Sequence, residues 1–177
     1  MPKQLDNLEL KIVNAGRKLL FSEGYSAFSM RKVAKDCDIA VGTIYNYFSN
    51  KDELIASIAA SDWYSVEKEI EERIDENAGF SENILVIYKA IKSFRKTYSA
   101  SFMSYASQVN SKNAIESYHP FLRSSISKYI DKVLSDCDEE KRNSLVILSS
   151  ELVITCATHD DIKEDDIKKF FNAIDIH

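Results

Sequence analysis

At 177 residues, with 45% hydrophobic and 11% aromatic side chains, the chain can bury a core as one domain or as two small ones. Charged residues at 29% and the lack of low-complexity runs exclude a disordered chain, and only four glycines and two prolines argue for long helices rather than many turns. A net charge of −5 excludes a uniformly basic protein.

No strand-like alternation appears anywhere. A long helix begins near Leu10 and ends in LLFSEGYSAFSM, with Tyr25 in its core. Ser29 can cap the next helix, because its hydroxyl accepts from an orphaned first-turn N–H. Val33 and Ala34 face inward from that helix, which ends near Cys37. Asp38 stands at the sharp turn, and Asp is among the few non-glycine residues that tolerate a left-handed backbone. Ile39 plugs the turn into the core. A short helix is predicted over Ala40–Tyr47, with Ile44 and Phe48, four apart, on its buried face. Ser49 or Asn50 then caps a further helix, and Asp52 or Glu53 completes a capping box.

The outward face of the Ala40–Tyr47 helix carries Val41, Gly42, Thr43, Tyr45, Asn46 and Tyr47. Two short amphipathic helices joined by a tight turn form a helix-turn-helix, and this face suits a major groove. Gly42 allows close backbone approach, Thr43 can meet a thymine methyl or a phosphate, and Asn46 can pair with adenine. Tyr45, Tyr47 and Lys51 suit phosphate oxygens, which position a protein without reading sequence. Ser29 and Arg31, at the start of the preceding helix, join the candidate contacts. Local charge agrees. Residues 1–55 hold eight Lys/Arg and seven Asp/Glu, whereas residues 56–177 hold fifteen and twenty-one, so the acidity lies away from the candidate DNA face.

From its first helix through GTIYNYFSNKDEL this segment resembles the DNA-binding domain of TetR-family transcriptional regulators. The resemblance covers about 45 residues and rests on the tyrosine–phenylalanine–lysine–leucine register. Two positions depart from the family pattern: Asp38 stands where glycine is usual, and Ala40 where serine is usual. Ala40 offers no side-chain cap, at a cost of about 1 kcal/mol.

The remaining chain keeps helical periodicity. A helix is predicted over about Lys51–Asp75, with Leu54, Ile58 and Trp63 inward and a solvated end, VEKEIEERIDE. Gly79 breaks the pattern. Phe80, Ile84, Tyr88, Ile91 and Tyr98 mark the next helix, and a separate serine-rich helix carries Phe102, Met103, Ala106 and Val109. Polar Asn110–His119 reads as a loop, with Pro120 at a helix start that continues through Phe121, Ile126, Tyr129, Ile130 and Val133. Asp138 can cap a helix over Glu139–Thr158, and a last helix spans roughly Lys163–Ile174. The expectation is an all-α fold of about nine helices: a helix-turn-helix DNA-binding domain over 1–50 and a helical effector-binding and dimerisation domain over 51–177.

Glu139–Thr158 is apolar nearly all round, so it must be covered on both sides. The resemblance implies that the last two long helices pair into a four-helix bundle in a homodimer. Leu145, Leu148, Leu152, Cys156, Ile167, Phe170 and Phe171 are the candidate interface, with full burial of the Glu139–Thr158 helix within one subunit as the alternative. Of 19 aromatics, 13 lie beyond residue 55. The family's C-terminal domain holds an effector pocket, and Trp63, Tyr64, Tyr88, Phe94, Tyr98, Phe102, Tyr105, Tyr118, Phe121 and Tyr129 could as a set line one for a small aromatic or amphipathic molecule, whereas for any single one of them plain core packing is the favoured reading. Glu151, on an apolar helix, hints at a cationic ligand, with a hydrogen-bonded interface carboxylate as the alternative.

Catalysis is not expected. His119, His159 and His177 form no partnered base or metal cluster, and Gly16, Gly24, Gly42 and Gly79 are too scattered to cradle phosphate. Cys37, Cys137 and Cys156 form no CxxC and fit reduced thiols in a cytoplasmic protein, with Cys37 or Cys156 as a conceivable redox sensor. Neither a signal peptide nor a membrane span is visible, since Leu145–Ala157 is too short to cross a bilayer. No cofactor or metal is expected. The function implied is a ligand-responsive regulator, most simply a repressor, that binds a palindromic DNA operator as a homodimer. The alternative keeps the fold, with a C-terminal domain that binds a protein partner or only dimerises.

Overall fold

The computed structural model describes residues 6–106, 112–134 and 137–174, with the side chains of 99–118 outside the description. Among the described residues all regular structure is helical, in eight helices: α1 Asn7–Ala27, α2 Met30–Asp36, α3 Val41–Tyr45, α4 Lys51–Arg73, α5 Phe80–Ala106, α6 Lys112–Val133, α7 Glu139–Thr158 and α8 Glu164–Asn172. They divide into two compact units, Met1–Tyr64 with Ser99–Asn110, and Ser65–Tyr98 with Ser111–His177. No described helix is long and apolar enough to cross a membrane.

Two expectations are corrected. The serine-rich segment after Tyr98 continues α5 instead of forming a ninth helix, because nothing between them breaks the backbone ladder. The polar stretch read as a loop is helical from Lys112, and Pro120 lies inside α6 instead of starting it. Proline leaves the carbonyl four residues back without its helical donor but does not forbid the helix. The polarity of this stretch does not make it irregular, because Lys, Ala and Glu are good helix formers.

In the first unit α1 begins on a firm cap: the Asp6 carboxylate accepts from the N–H groups of Leu8 at 2.9 Å and Glu9 at 2.8 Å. Ile12, Val13, Gly16, Leu19 and Leu20 form its buried stripe. At Gly16 α4 packs close, since a Cβ there would stand 2.9 Å from the Ile58 side chain. Arg17 adds a polar link to α4 through Asp62 at 2.6 Å and Ser61 at 3.2 Å. The helical path of α1 is broken at Gly24, with φ 77° and ψ 172°, a region essentially reserved for glycine. This break lets Tyr25 and Phe28 turn back into the core.

In the second unit, buried Asn83 closes the turn between α4 and α5. Its side-chain carbonyl accepts from the Asp75 N–H at 3.0 Å, and its amide donates to the Asp75 carbonyl at 2.8 Å. α6 packs against α7, and α4 is joined to α6 through Glu67, which accepts from Ser125 at 2.5 Å and Lys128 at 2.7 Å. Ile167 and Phe171 of α8 are buried, the latter edge-on to Phe80 with ring centroids 5.6 Å apart.

Candidate nucleic-acid interface

The geometry of α2 and α3 follows from three local devices. Ser29 caps α2, its hydroxyl accepting from the Lys32 N–H at 3.3 Å. Asp38 adopts φ 53°, the left-handed conformation expected of the turn, and the Ile39 N–H reaches back to the Ala34 carbonyl at 3.0 Å. Ala40 starts α3 without a side-chain cap. The helix is shorter than predicted and ends at Tyr45. After it the ladder tightens, with Asn46 N–H on the Thr43 carbonyl at 3.3 Å and Tyr47 N–H on that of Ile44 at 2.9 Å. An uncapped five-residue helix has little cooperativity to extend itself. The start of α4 is secured by a near-reciprocal box. Asn50 accepts from the Glu53 N–H at 2.9 Å, while the Glu53 carboxylate accepts from the Ser49 N–H at 2.6 Å.

Ile44 and Phe48 are buried as expected, at 0% and 2% exposure, and this fixes which side of α3 faces out. Gly42, Tyr45 and Asn46 are exposed, while Val41 and Thr43 are half-buried. Arg31 is exposed in the first turn of α2; Ser29 is half-buried, its hydroxyl engaged in the cap. The exposed set therefore offers a glycine, a carboxamide, a phenol and a guanidinium on two short helices and the residue that follows them, groups of the kind that meet base edges and phosphates.

Two nominated residues have protein partners that the sequence did not reveal. The phenol of Tyr47 lies beside the α1 cap: partial desolvation and the Asp6 carboxylate, to which it donates, push its pKa up. The amine of Lys51 donates to the backbone carbonyl of Tyr25. It stands 3.6 Å over the centroid of the Tyr25 ring and 5.8 Å from that of Phe28. Desolvation pushes its pKa down, with Asp52 opposing. Tyr25, read as plain core, is buried but carries a polar tip, donating to Asp52 at 2.8 Å. The only hint in the sequence was tyrosine's need for a partner when buried.

The nominated effector residues do not form one described set. Trp63 is buried and Tyr64 exposed in the first unit. In the second, Tyr88 and Tyr129 are buried, and their hydroxyls donate to backbone carbonyls of Ile162 at 2.8 Å and Glu67 at 3.1 Å. Tyr98 is buried against Phe94 at 4.8 Å, and Phe121 is exposed. The side chains of Phe102, Tyr105 and Tyr118 lie outside the described residues. A cleft of about 740 Å³ does occur in this unit, lined by Phe80, Ser81, Leu134, Lys141, Phe171 and Asn172 among others, but by none of the nominated aromatics. Glu151 is paired with Arg123 at 2.8 Å and His119 at 3.2 Å, so its charge is met within the chain.

On α7 the apolar coverage divides along the helix. Val153, Ile154, Cys156 and Ala157 are buried, whereas Ile147 and Leu148 are 57% and 68% exposed. Cys156, Ile167 and Phe171, nominated for the interface, are instead core of their own unit; Leu145 and Leu152 are half-buried and Phe170 exposed. Burial also raises the pKa of the Cys37 and Cys156 thiols, opposite to the thiolate character a redox sensor requires. Among the described residues no cluster of His, Cys, Asp and Glu could hold a metal ion.

The sequence profile of bacterial regulatory proteins of the tetR family matches residues 12–58. An uncharacterized HTH-type transcriptional regulator of Haemophilus influenzae is 36% identical over 85 residues, which are 48% of this chain and 46% of that protein. The uncharacterized HTH-type transcriptional regulator YhgD of Bacillus subtilis is 34% identical over 87 residues, 49% of this chain and 46% of the relative. The chain thus spans about half the length of the curated relatives it matches. The crystal structure of a TetR-family transcriptional regulator from Haemophilus influenzae is similar over 95% of this chain and 96% of that one, at 27% identity and a TM-score of 0.53.

Proposed function

From the premise that the chain belongs to the TetR family of transcriptional regulators, which bind DNA and are not enzymes, we propose that it is a cytoplasmic repressor. It binds a palindromic operator as a homodimer and is released by a small aromatic or amphipathic effector. The observation that carries the DNA-binding part is the sidedness of α3: Ile44 and Phe48 are buried while Gly42, Tyr45 and Asn46 are exposed. Thr43 and Asn46 read bases with Val41 and Gly42 against the groove, and Tyr45, Tyr47 and Arg31 hold phosphates near Ser29. For Tyr47 this requires leaving Asp6. The proposed division keeps the DNA-binding domain at 1–50 and the effector and dimerisation domain at 51–177.

Sedimentation together with selection from random DNA tests this reading. A dimer should select a palindrome whose half-site centres are about 34–36 Å apart, or more where the DNA is distorted. Asn46→Ala and Thr43→Ala should shift base preference at one position of each half-site, by about 1–3 kcal/mol per lost contact. A monomer, or a selected sequence unchanged by Asn46→Ala, would overturn it.

The engaged hydroxyls of Tyr88 and Tyr129 favour a second reading, in which the C-terminal domain only dimerises or binds a protein partner. Trp63, the single tryptophan, separates the two. Under the first reading an aromatic or amphipathic compound changes its fluorescence and lowers operator affinity in the same titration, by the 1–3 kcal/mol typical of such coupling. Under the second, compounds of this class leave operator affinity unchanged.

A further inference from the structure

The ammonium of Lys51 is the first cation of α4, immediately after the segment that faces DNA, and its position invites assignment as a phosphate ligand. Its surroundings say otherwise. The amine donates to the Tyr25 carbonyl and lies 3.6 Å over the centre of the Tyr25 ring, with Phe28 on a further side at 5.8 Å. Next along α4, Asp52 accepts from the Tyr25 hydroxyl at 2.8 Å. Two consecutive residues at the start of α4 thus grip one tyrosine at its carbonyl, its ring face and its hydroxyl.

What they grip is a break in the helical path of the first unit. Gly24 breaks α1 at φ 77°, and Tyr25–Phe28 is the segment that delivers Ser29, the cap of α2. Across the break the Phe28 N–H still reaches the Gly24 and Tyr25 carbonyls at 3.2 and 3.3 Å, and two lysines add to these bonds, Lys32 at the Ala27 carbonyl at 3.1 Å and Lys51 at that of Tyr25. We infer that Lys51 is a positioning residue: it latches the α1–α2 connection to the start of α4 and so sets the pose of the helix-turn-helix, instead of neutralising a phosphate. Partial desolvation of the half-buried amine strengthens its contacts with the carbonyl and the ring. Desolvation also lowers its pKa, in keeping with an amine turned into the protein. A loosened latch leaves fewer molecules in the binding-competent pose, and apparent affinity falls by that fraction.

This inference rests on the DNA-binding reading, and the two fail differently. The full-length protein is titrated against its selected operator across a range of salt concentrations, as wild type, Lys51→Met, Tyr25→Leu and the double variant. Wild-type protein that selects and binds no DNA refutes the functional reading itself. Given binding, Lys51→Met should weaken it by about tenfold at every salt concentration, leaving the slope of log K against log salt unchanged. Tyr25→Leu, which leaves Lys51 in place, should act in the same direction, and the double variant should be little worse than either single change. A slope reduced by about one in Lys51→Met restores the phosphate contact and sinks the latch. So does a Lys51→Met protein that unfolds at lower denaturant yet binds DNA like wild type, for that role is structural alone. Should Lys51→Met not fold, Lys51→Gln carries the test by removing the charge from a side chain that stays polar: weaker binding at unchanged slope supports the latch, and unchanged binding or a slope reduced by about one refutes it.

Discussion

Phe48→Ala should lower the unfolding free energy by about 3–5 kcal/mol and abolish operator binding with it. Phe48 is 2% exposed, and its N–H donates to the Ile44 carbonyl at 2.9 Å where the chain leaves α3. Truncation there removes the transfer free energy of a phenyl group and leaves a void that a short, uncapped α3 is poorly built to close. Domains of this size have only about 5–15 kcal/mol in total, so the loss takes a large share. Tyr45→Ala is the contrast. At 51% exposure it should change stability by no more than about 0.5 kcal/mol, so any loss of DNA binding there reports contact instead of folding. Urea titration of both variants, with the slope of each transition compared, separates the cases. A Phe48→Ala midpoint close to wild type would mean that α3 is held by something other than its inward face.

The features legible from sequence were those written in local spacing. The four-residue interval between Ile44 and Phe48 gave the buried face of α3, the Ser29 and Asp138 caps form as expected, and Asp38 takes the left-handed turn. Glu139–Thr158 begins and ends where its pattern said. What escaped was set by distant partners. No spacing rule brings Lys51 onto Tyr25 or Tyr47 to Asp6, because those pairs are 26 and 41 positions apart and join the start of α4 to the end of α1, and the end of the α3 segment to the start of α1. The tyrosines nominated for a ligand illustrate the same limit. A buried phenol looks identical in sequence whether it meets a ligand or a backbone carbonyl, and Tyr88 and Tyr129 meet carbonyls. The missed helical start at Lys112 has another cause. Polar composition around a proline describes solvation of a segment, not its backbone.

Charge placed on the exposed half of α7 should separate the subunits of the proposed dimer. Ile147 and Leu148 present two large aliphatic side chains at 57% and 68% exposure, and apolar surface of this kind marks an association site when it is part of a larger contiguous patch. The other half of α7 has no such surface, since Val153, Ile154, Cys156 and Ala157 are buried within their own unit. The contact with a second copy is therefore expected near the N-terminal half of α7, with Phe170 of α8 as a further exposed ring. Leu148→Glu puts a carboxylate where its counterpart carries the same charge across a two-fold axis, and neither can be desolvated cheaply. Because the position is exposed in the single chain, the variant should keep its fold and its urea midpoint in dilute solution apart from the contribution of dimerisation. Sedimentation should find a monomer. Operator affinity should fall by about 10²–10⁴-fold, since the second recognition helix no longer binds at the effective concentration that the first one confers. Binding to a single half-site should be unaffected. A Leu148→Glu protein that remains dimeric would move the interface elsewhere, and a monomer with wild-type operator affinity would show that dimerisation does not serve DNA binding at all.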